Sequence, residues 1–265
     1  MNMMPGQIKA SYPELEDKRV LITGAGAGLG RAMALAFAHQ GCRLILNDLN
    51  HQSADAVNAE IEAIGASTIT HTGSVTDEQC LQALFESADS AFGGVDILIN
   101  NAGISTHEPT VEISMEKWRK CLDINLTAPL RCSQLAAAQM LERGYGVILN
   151  MSSIYGLVAA PHRVAYCSTK AALAMMTKVM AIEWAKHGVR VNALAPTYVK
   201  TALVEELAEA GKLNIPELEA RTPNGRLATP EEIASLALFL ASDSASAITG
   251  QVVAADGGWT SYGYV

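Results

Sequence analysis

Three polar side chains with fixed spacing suggest proton-transfer chemistry. Tyr166 and Lys170 stand four residues apart in the segment VAYCSTK, and Ser153 lies thirteen positions before Tyr166. On a helix, a spacing of four puts two side chains on one face, one turn apart. A lysine ammonium there favours the phenolate and lowers a tyrosine pKa that is ordinarily about 10, which suits a general acid–base. Ser153 follows an apolar run and could hold a substrate oxygen, although a Tyr–Lys pair alone is also common as a solvated pair on a helix.

The rest of the chain alternates short apolar runs with longer segments of helical periodicity. We predict strands at 18–23, 43–48, 67–71, 95–100, 146–151, 189–194 and 251–254. We predict helices at 28–40, 52–64, 77–92, 115–141, 164–187 and 230–241, with a kink or break at 126–129 because Pro129 falls inside the fourth. Nearly continuous apolar strands alternating with helices predict an α/β fold, a doubly wound parallel sheet of about seven strands with helices on both faces (Rossmann-type).

No Pro/Ser-rich linker, repeat or charge block divides the chain, so one domain is expected despite its 265 residues. We assign residues 1–17 to an N-terminal extension and 18–265 to a nucleotide-binding catalytic domain. A small substrate flap of two short helices is expected at about 200–222, where Gly211 and Pro216 interrupt a polar segment.

Composition excludes several classes of function. A net charge of −8 leaves no basic stripe for nucleic acid, and no apolar run approaches the ~20 residues of a membrane span. Five scattered cysteines and no signal-peptide pattern predict reduced thiols in a cytoplasmic protein. No His, Cys, Asp and Glu cluster has metal-ligand spacing, so no metal is expected.

A glycine-rich turn joins the first strand to the first helix. Gly24, Gly28 and Gly30 fit the spacing T-G-x-x-x-G-x-G, which lets the backbone approach a pyrophosphate at a helix N-terminus. Asp48 ends the second strand, where a carboxylate accepts hydrogen bonds from a ribose 2′-hydroxyl and repels a 2′-phosphate. Because residues 49–51 and the glycine loop before Gly28 contain no Arg or Lys, we predict NAD rather than NADP. The alternative is that Asp48 only caps the next helix. Asn101 closes the fourth strand on the same sheet edge.

With these motifs in place, the sequence resembles the short-chain dehydrogenase/reductase family from about residue 18 to 258. The matching motifs are TGAGAGLG at 23–30, NNAG at 100–103, Asn125 in DINLTA, MSSIYG at 151–156, YCSTK at 166–170, NALAPTYVKT at 192–201 and ITGQVVAADGG at 248–258.

The resemblance implies a hydride-transfer enzyme with a defined catalytic set. Tyr166 would be the general acid–base, Lys170 would lower its pKa and bind the nicotinamide ribose, and Ser153 would orient the substrate oxygen. Asn125 would hold a water in the proton relay. The implied cofactor contacts are Gly24, Gly28, Leu29, Gly30, Asp48, Leu49, Ser74, Val75, Asn101, Ala102, Gly103, Ile154, Pro196, Thr197, Val199 and Thr201, with Tyr166 and Lys170.

Two departures from the family pattern concern the cofactor. Ser74 stands where the family usually has an aspartate before the valine, which weakens or replaces an adenine contact. Thr197 replaces the glycine of the usual Pro-Gly, and should narrow the nicotinamide end.

The segments expected to form the substrate pocket carry polar side chains. The candidates are Ser105, His107, Tyr155, His162 and Asn214, in segments that also hold Glu108, Arg163 and the chain-end aromatics Trp259, Tyr262 and Tyr264. Such donors and acceptors favour a polyol or sugar over a steroid or acyl chain, although each histidine could equally be a surface residue. The first alternative is a 3-oxoacyl-thioester reductase, and the remote one is a non-catalytic nucleotide sensor.

The assembly is predicted from two helices that are apolar around much of their surface, 115–141 and 164–187. In enzymes of this kind such helices pair across two-fold axes, so we predict a homotetramer acting on a small-molecule substrate.

Overall fold

Seven short apolar strands pair into one sheet in the computed structural model, which describes residues 10–263. The strands are β1 Arg19–Thr23, β2 Arg43–Asp48, β3 Thr68–Thr72, β4 Ile97–Asn100, β5 Gly146–Met151, β6 Val189–Pro196 and β7 Val252–Ala255. All neighbours are parallel, in the order β3-β2-β1-β4-β5-β6-β7. The order reverses between β1 and β4, and this switch point opens a crevice at the C-terminal ends of the strands.

Helices cover both faces of this sheet, as the alternating sequence pattern predicts. They are α1 Gly28–Ala38, α2 His51–Ile64, α3 Glu78–Phe92, α4 Met115–Leu122, α5 Ala128–Arg143, α6 Val164–Trp184, α7 Ala202–Glu209, α8 Ile215–Arg221 and α9 Pro230–Ala241. Side chains alternate along each strand, so Ile22 packs with α1, α2 and α9 while its neighbour Leu21 packs with α3, α5 and α6. The doubly wound fold is therefore confirmed.

Several helix boundaries follow from local chemistry visible in the sequence. Asp77 accepts a hydrogen bond from the Cys80 backbone N–H at 2.8 Å and so begins α3. Thr229 and Glu232 form a reciprocal capping box at the start of α9, where Pro230 occupies the first turn. These caps explain why the ends of both helices were predictable to within a residue.

The predicted interruption of the fourth helix takes the form of a π-helical turn. Asp123–Thr127 separates α4 from α5, and Pro129 lies in the first turn of α5. In the first turn of a helix a backbone N–H has no intrahelical acceptor, so a proline, which lacks that N–H, is tolerated there. The interruption therefore falls just before Pro129. The two flap helices, α7 and α8, also lie where they were expected.

The N-terminal boundary differs from the expected one. Pro13–Leu15 forms a 3₁₀ turn, and Leu15 is fully buried in the same core cluster as β1. Its carbonyl accepts a hydrogen bond from the Cys42 thiol at 3.1 Å. Packing therefore begins before residue 18. The sequence did not predict this, because a single apolar side chain in a polar stretch forms no periodic pattern. Residues 1–9 lie outside the described part. The last helix residues also differ: α6 ends at Trp184 and 185–187 form a 3₁₀ turn.

No helix within residues 10–263 is long and apolar enough to cross a membrane. All five cysteines are free thiols.

Candidate active site

Loops that follow β1, β2, β4, β5 and β6 meet at one edge of the sheet. They carry the glycine-rich turn, Asp48, Asn101, Ser153 and Thr197 respectively. Because the carboxyl ends of parallel strands lie together, residues far apart in sequence share this crevice.

Tyr166 and Lys170 occupy one face of α6, as their spacing predicts. The Lys170 Nζ lies 5.7 Å from the centroid of the Tyr166 ring and donates to the Met151 carbonyl at 2.7 Å. Ser153 is buried at the end of β5, and its hydroxyl accepts from the Tyr155 backbone N–H at 3.1 Å.

The two serines after β5 have different roles in the packing. The Ser152 hydroxyl donates to the Lys170 carbonyl at 3.1 Å, which ties β5 to α6. The Ser153 hydroxyl interacts with the Tyr166 phenol instead. Of the two, Ser153 is thus the one positioned beside the candidate acid–base.

Burial dominates the electrostatics of Tyr166 and Lys170. Burial raises the pKa of Tyr166 above its usual value, while Ser153 and the Arg163 guanidinium act to lower it. Burial also lowers the pKa of Lys170 to about 8. Desolvation thus dominates the pKa of Tyr166 here, and the Lys170 ammonium is turned towards the Met151 carbonyl. The expected effect of Lys170 on the tyrosine pKa stays a prediction.

Asn125 lies in the π turn between α4 and α5 and is fully buried. Its amide binds both polar groups of one backbone residue, accepting from the Ile104 N–H and donating to the Ile104 carbonyl, each at 2.8 Å. A Cβ added to Gly103 would lie 3.3 Å from the Asn125 Oδ1 and 3.6 Å from the Lys170 Nζ. Asn125 thus fixes the loop after β4 against the base of the site.

The glycine-rich turn is packed too tightly for side chains. A Cβ on Gly30 would fall 2.0 Å from the Gly24 carbonyl oxygen. Gly24 has a φ of +66°, and a Cβ on it would lie 3.0 Å from the Ala102 Cα. Asn101 holds the turn by donating to the carbonyls of Thr23 and Gly24 at 3.0 and 2.9 Å. The free N–H groups at the start of α1, around Leu29, are therefore held beside the loop after β4.

Asp48 turns towards this glycine loop. One carboxylate oxygen accepts from the Gly26 N–H at 2.8 Å, and the other accepts from the Asn50 N–H at 2.9 Å. The cap of α2 is Asn50, whose side chain accepts from the Ser53 N–H. Asp48 is therefore not the helix cap that the alternative interpretation required.

A nicotinamide cofactor fits the residues at the far side of the crevice. The Thr197 hydroxyl is buried and has no hydrogen-bond partner within residues 10–263, which is a costly state unless a ligand supplies one. Thr201 caps α7, and its methyl group is the nearest atom, at 3.8 Å, to a Cβ built on Gly28. The segment after β6, which contains Pro196, Val199 and Thr201, thus reaches the glycine loop.

Three of the remaining cofactor candidates, Leu49, Ser74 and Val75, follow β2 and β3. Val75 is buried, whereas Leu49 is 75% exposed beside Asp48. The Ser74 hydroxyl is bonded to the Thr76 hydroxyl at 2.8 Å. Ile154 is buried in the 3₁₀ turn after Ser153.

Four of the five substrate candidates come together. Ser105 accepts a hydrogen bond from Arg163 at 2.8 Å, and the exposed His107 and His162 rings lie 5.5 Å apart. Tyr155 lies under the Arg163 guanidinium. Asn214 is different: it is exposed on the flap and caps α8 by accepting from the Glu217 N–H.

One aromatic side chain beside this pocket, Tyr198, was not among the predicted substrate residues. The Tyr198 hydroxyl bonds to the Tyr155 hydroxyl at 3.0 Å, and its ring lies 5.9 Å from Trp259, which in turn packs under Arg221. Tyr198 stands between two predicted cofactor residues, and that position was the available signal. Tyr264 lies outside the described residues, and residues 10–263 contain no group of three His, Cys, Asp or Glu side chains suited to a metal.

Comparison with known proteins gives consistent matches over almost the whole chain. Residues 24–260 match the family model described as enoyl-(acyl carrier protein) reductase. The chain is 38% identical over 257 residues to 3beta-hydroxysteroid dehydrogenase 1 of Eggerthella lenta, covering 95% of this chain and 97% of that protein. It is 39% identical over 249 residues to D-threitol dehydrogenase of Mycolicibacterium smegmatis, with 93% and 94% covered. It is 36% identical over 244 residues to a 3-oxoacyl-(acyl-carrier-protein) reductase of Thermotoga maritima, with 92% and 98% covered.

Solved structures give the same picture. A protein assigned as a gluconate dehydrogenase from Agrobacterium tumefaciens superposes with a TM-score of 0.91 at 32% identity, covering 96% of this chain and 100% of that one. A gluconate 5-dehydrogenase from Burkholderia cenocepacia, in complex with NADP and tartrate, superposes with a TM-score of 0.87 at 33% identity, covering 93% and 96%.

Proposed function

The chain belongs to the short-chain dehydrogenase/reductase family, an oxidoreductase family that acts on alcohols and carbonyls with a nicotinamide cofactor, and we propose that it oxidises a polyol or sugar with NAD. The observation that carries the proposal is the cluster of Ser153, Tyr166 and Lys170 beside a nucleotide crevice that contains Asp48.

In the proposed reaction, Ser153 and Tyr166 hold the hydroxyl of a secondary alcohol. Tyr166 takes the hydroxyl proton while hydride leaves the same carbon, giving the carbonyl product. A bound nicotinamide supplies the hydride acceptor. Lys170 stabilises the phenolate by its positive charge, and Asn125 keeps the loop after β4 in place and serves the proton relay. The glycine loop, Asn101, Thr197 and Thr201 hold the nucleotide.

NAD preference is proposed from Asp48. Its carboxylate faces the Gly26 N–H in the crevice, and no Arg or Lys stands in the three positions after it to bind a 2′-phosphate. A relative from Burkholderia cenocepacia was solved with NADP, so family membership alone does not decide the preference.

The cofactor test compares kcat/KM for NAD and NADP in the wild-type protein and in Asp48→Asn. We expect the wild-type protein to prefer NAD. In Asp48→Asn we expect kcat/KM for NADP to rise by about tenfold or more, because the carboxylate no longer repels the 2′-phosphate. Equal use of both cofactors by wild type would contradict this proposal. Asp89→Asn, which removes an exposed carboxylate near the end of α3, is the matched control.

A polyol or sugar substrate is proposed from the polar side chains around Tyr155. Relatives named D-threitol dehydrogenase and gluconate dehydrogenase support it. The second candidate is a 3-oxoacyl-thioester reductase, favoured by the Thermotoga maritima relative. Assaying NAD with polyols and sugars, and reduced cofactor with acyl thioesters, separates the two. Turnover of thioesters alone would overturn the polyol proposal.

We further propose a homotetramer. One face of α6 carries an apolar stripe that is exposed to solvent. It consists of Met175, Val179 and Ile182, whose exposed fractions are 58%, 47% and 80%. Burying such a stripe against a symmetry-related helix removes it from water.

A further inference from the structure

Arg163 carries a guanidinium beside the catalytic pocket that has no carboxylate partner in the described structure. It is half-buried, its Nη1 donates to the Ser105 hydroxyl at 2.8 Å, and its guanidinium lies 5.3 Å from the centroid of the Tyr155 ring. Within residues 10–263 no acidic side chain lies within 4.0 Å of it, whereas Arg19, Arg31 and Arg43 each form an ion pair. A guanidinium fork has five donors, so most of its hydrogen-bonding capacity remains available.

Glu108, an acidic residue in the loop after β4, already has a charged partner. Glu108 forms an ion pair with Lys117 and donates its backbone N–H to the His162 carbonyl at 2.8 Å. The loop after β4 therefore supplies Arg163 with a hydroxyl but leaves its charge uncompensated. The nearby His107 and His162 rings can add only neutral or positive charge.

The backbone at this point is held in a strained form. His162 has a φ of +62°, in the left-handed region that non-glycine residues seldom occupy. The hydrogen bond from Glu108 to the His162 carbonyl helps to fix that conformation. The strain fixes the direction in which the chain enters α6, immediately before Arg163.

Arg163 is also close to the reacting group. It stands three residues before Tyr166, and its positive charge is among the influences that lower the pKa of that phenol. Tyr155, over which it lies, bonds through its backbone to Ser153. When Ser153 and Tyr166 hold a substrate oxygen, the rest of the substrate would thus lie near the Arg163 guanidinium.

We propose that Arg163 is a specificity-determining residue that binds the carboxylate of the substrate, so that this enzyme takes hydroxy acids of the polyhydroxylated class in preference to neutral polyols. One or both carboxylate oxygens accept from the guanidinium, which gives a charge-assisted and directional contact. The inference rests on the proposed dehydrogenase function and specifies its substrate class.

The test measures kcat/KM with NAD for two matched pairs of substrates: gluconate with sorbitol, and 4-hydroxycyclohexanecarboxylate with cyclohexanol. The readout is the ratio of acid to neutral substrate, because the neutral member reports every other effect of a substitution on the pocket. We expect wild type to favour the acid in at least one pair. In Arg163→Gln that ratio should fall by roughly 10- to 100-fold, mostly through KM, as expected for loss of one charge-assisted contact.

Two further variants complete the design. Arg163→Lys keeps the charge but loses the fork, so its ratio should lie between those of wild type and Arg163→Gln, and it carries the test if Arg163→Gln fails to fold. Arg43→Gln removes an equal charge from an ion pair with Asp17 at the opposite end of the strands, and it should leave the ratio unchanged.

The outcomes separate this inference from the function on which it rests. Turnover of the neutral substrates without preference for the acids, or equal losses on both members in Arg163→Gln, overturns the carboxylate role and leaves the dehydrogenase intact. No turnover of any of the four alcohols, with reduction of an acyl thioester, overturns both.

Discussion

Replacing Lys170 by methionine should make the protein more stable while removing its activity. The Lys170 ammonium is fully desolvated, and burial holds its pKa at about 8 instead of the usual 10.5. A depression of that size corresponds to about 3 kcal/mol by which the charged lysine lowers the free energy of unfolding near neutral pH. Methionine has a similar length and no charge to desolvate.

The gain is reduced by one lost hydrogen bond. Lys170 Nζ donates to the Met151 carbonyl at 2.7 Å, and leaving a buried carbonyl without that donor costs about 1–2 kcal/mol. The net effect of Lys170→Met at pH 7 is therefore about 1–2 kcal/mol of added stability, or roughly 2–8 °C in Tm for a chain of this size.

The pH dependence gives the sign of the effect directly. Between pH 8 and 10.5 the unfolded lysine binds a proton that the folded one does not, so wild-type stability should rise with pH across that window relative to the variant. The advantage of Lys170→Met should therefore shrink above pH 8 and disappear towards pH 10.5, where only the lost hydrogen bond remains.

The assay is urea unfolding followed by tryptophan fluorescence at pH 7, 8.5 and 10, without added nucleotide. Lys186→Met is the control, because Lys186 is exposed on the turn after α6 and should not change the pH dependence. If Lys170→Met is less stable than wild type at pH 7, or if the difference does not vary with pH, the idea of a destabilising, desolvated lysine is refuted.

Two other predictions concern cofactor binding and assembly. Thr197→Val removes a buried hydroxyl that has no partner in the part of the chain that the structure describes. It should therefore raise the stability of the nucleotide-free protein by about 1 kcal/mol and weaken NADH binding by roughly tenfold. Isothermal titration and urea unfolding check this, and unchanged NADH affinity would exclude a contact from Thr197. Ile182→Asp places a charge on the exposed apolar stripe of α6, so it should dissociate the proposed homotetramer in sedimentation equilibrium; a wild-type protein that sediments as a monomer would contradict the tetramer itself.

The fold was predictable because its signals are local. Apolar runs such as that of β5, and cap residues such as Asp77, act within a few positions of the chain. The spacing of Tyr166 and Lys170 fixes their common face on α6 in the same way. Strand order also follows from a general rule for parallel sheets with helical connections.

The electrostatics of the site were not predictable, because they depend on packing between distant elements. Spacing alone gives a lysine close to a tyrosine, but the direction of the Lys170 ammonium is set by the Met151 carbonyl on β5. The environment of Arg163 likewise arises only when the loops after β4 and β5 meet. That the Thr197 hydroxyl finds no partner among residues 10–263 could be recognised only once its surroundings were known.

The most direct test of the proposed chemistry is the formation of NADH, followed by absorbance, from NAD and a panel of polyols, sugars and their acids in wild type and in Tyr166→Phe. NADH binding by fluorescence is measured alongside, and Tyr145→Phe, a phenol that follows α5 away from the crevice, is the control. We expect turnover in wild type and in the control, and a loss of about 100-fold or more in Tyr166→Phe with NADH binding retained. Full turnover by Tyr166→Phe would remove Tyr166 from the mechanism and contradict the central claim.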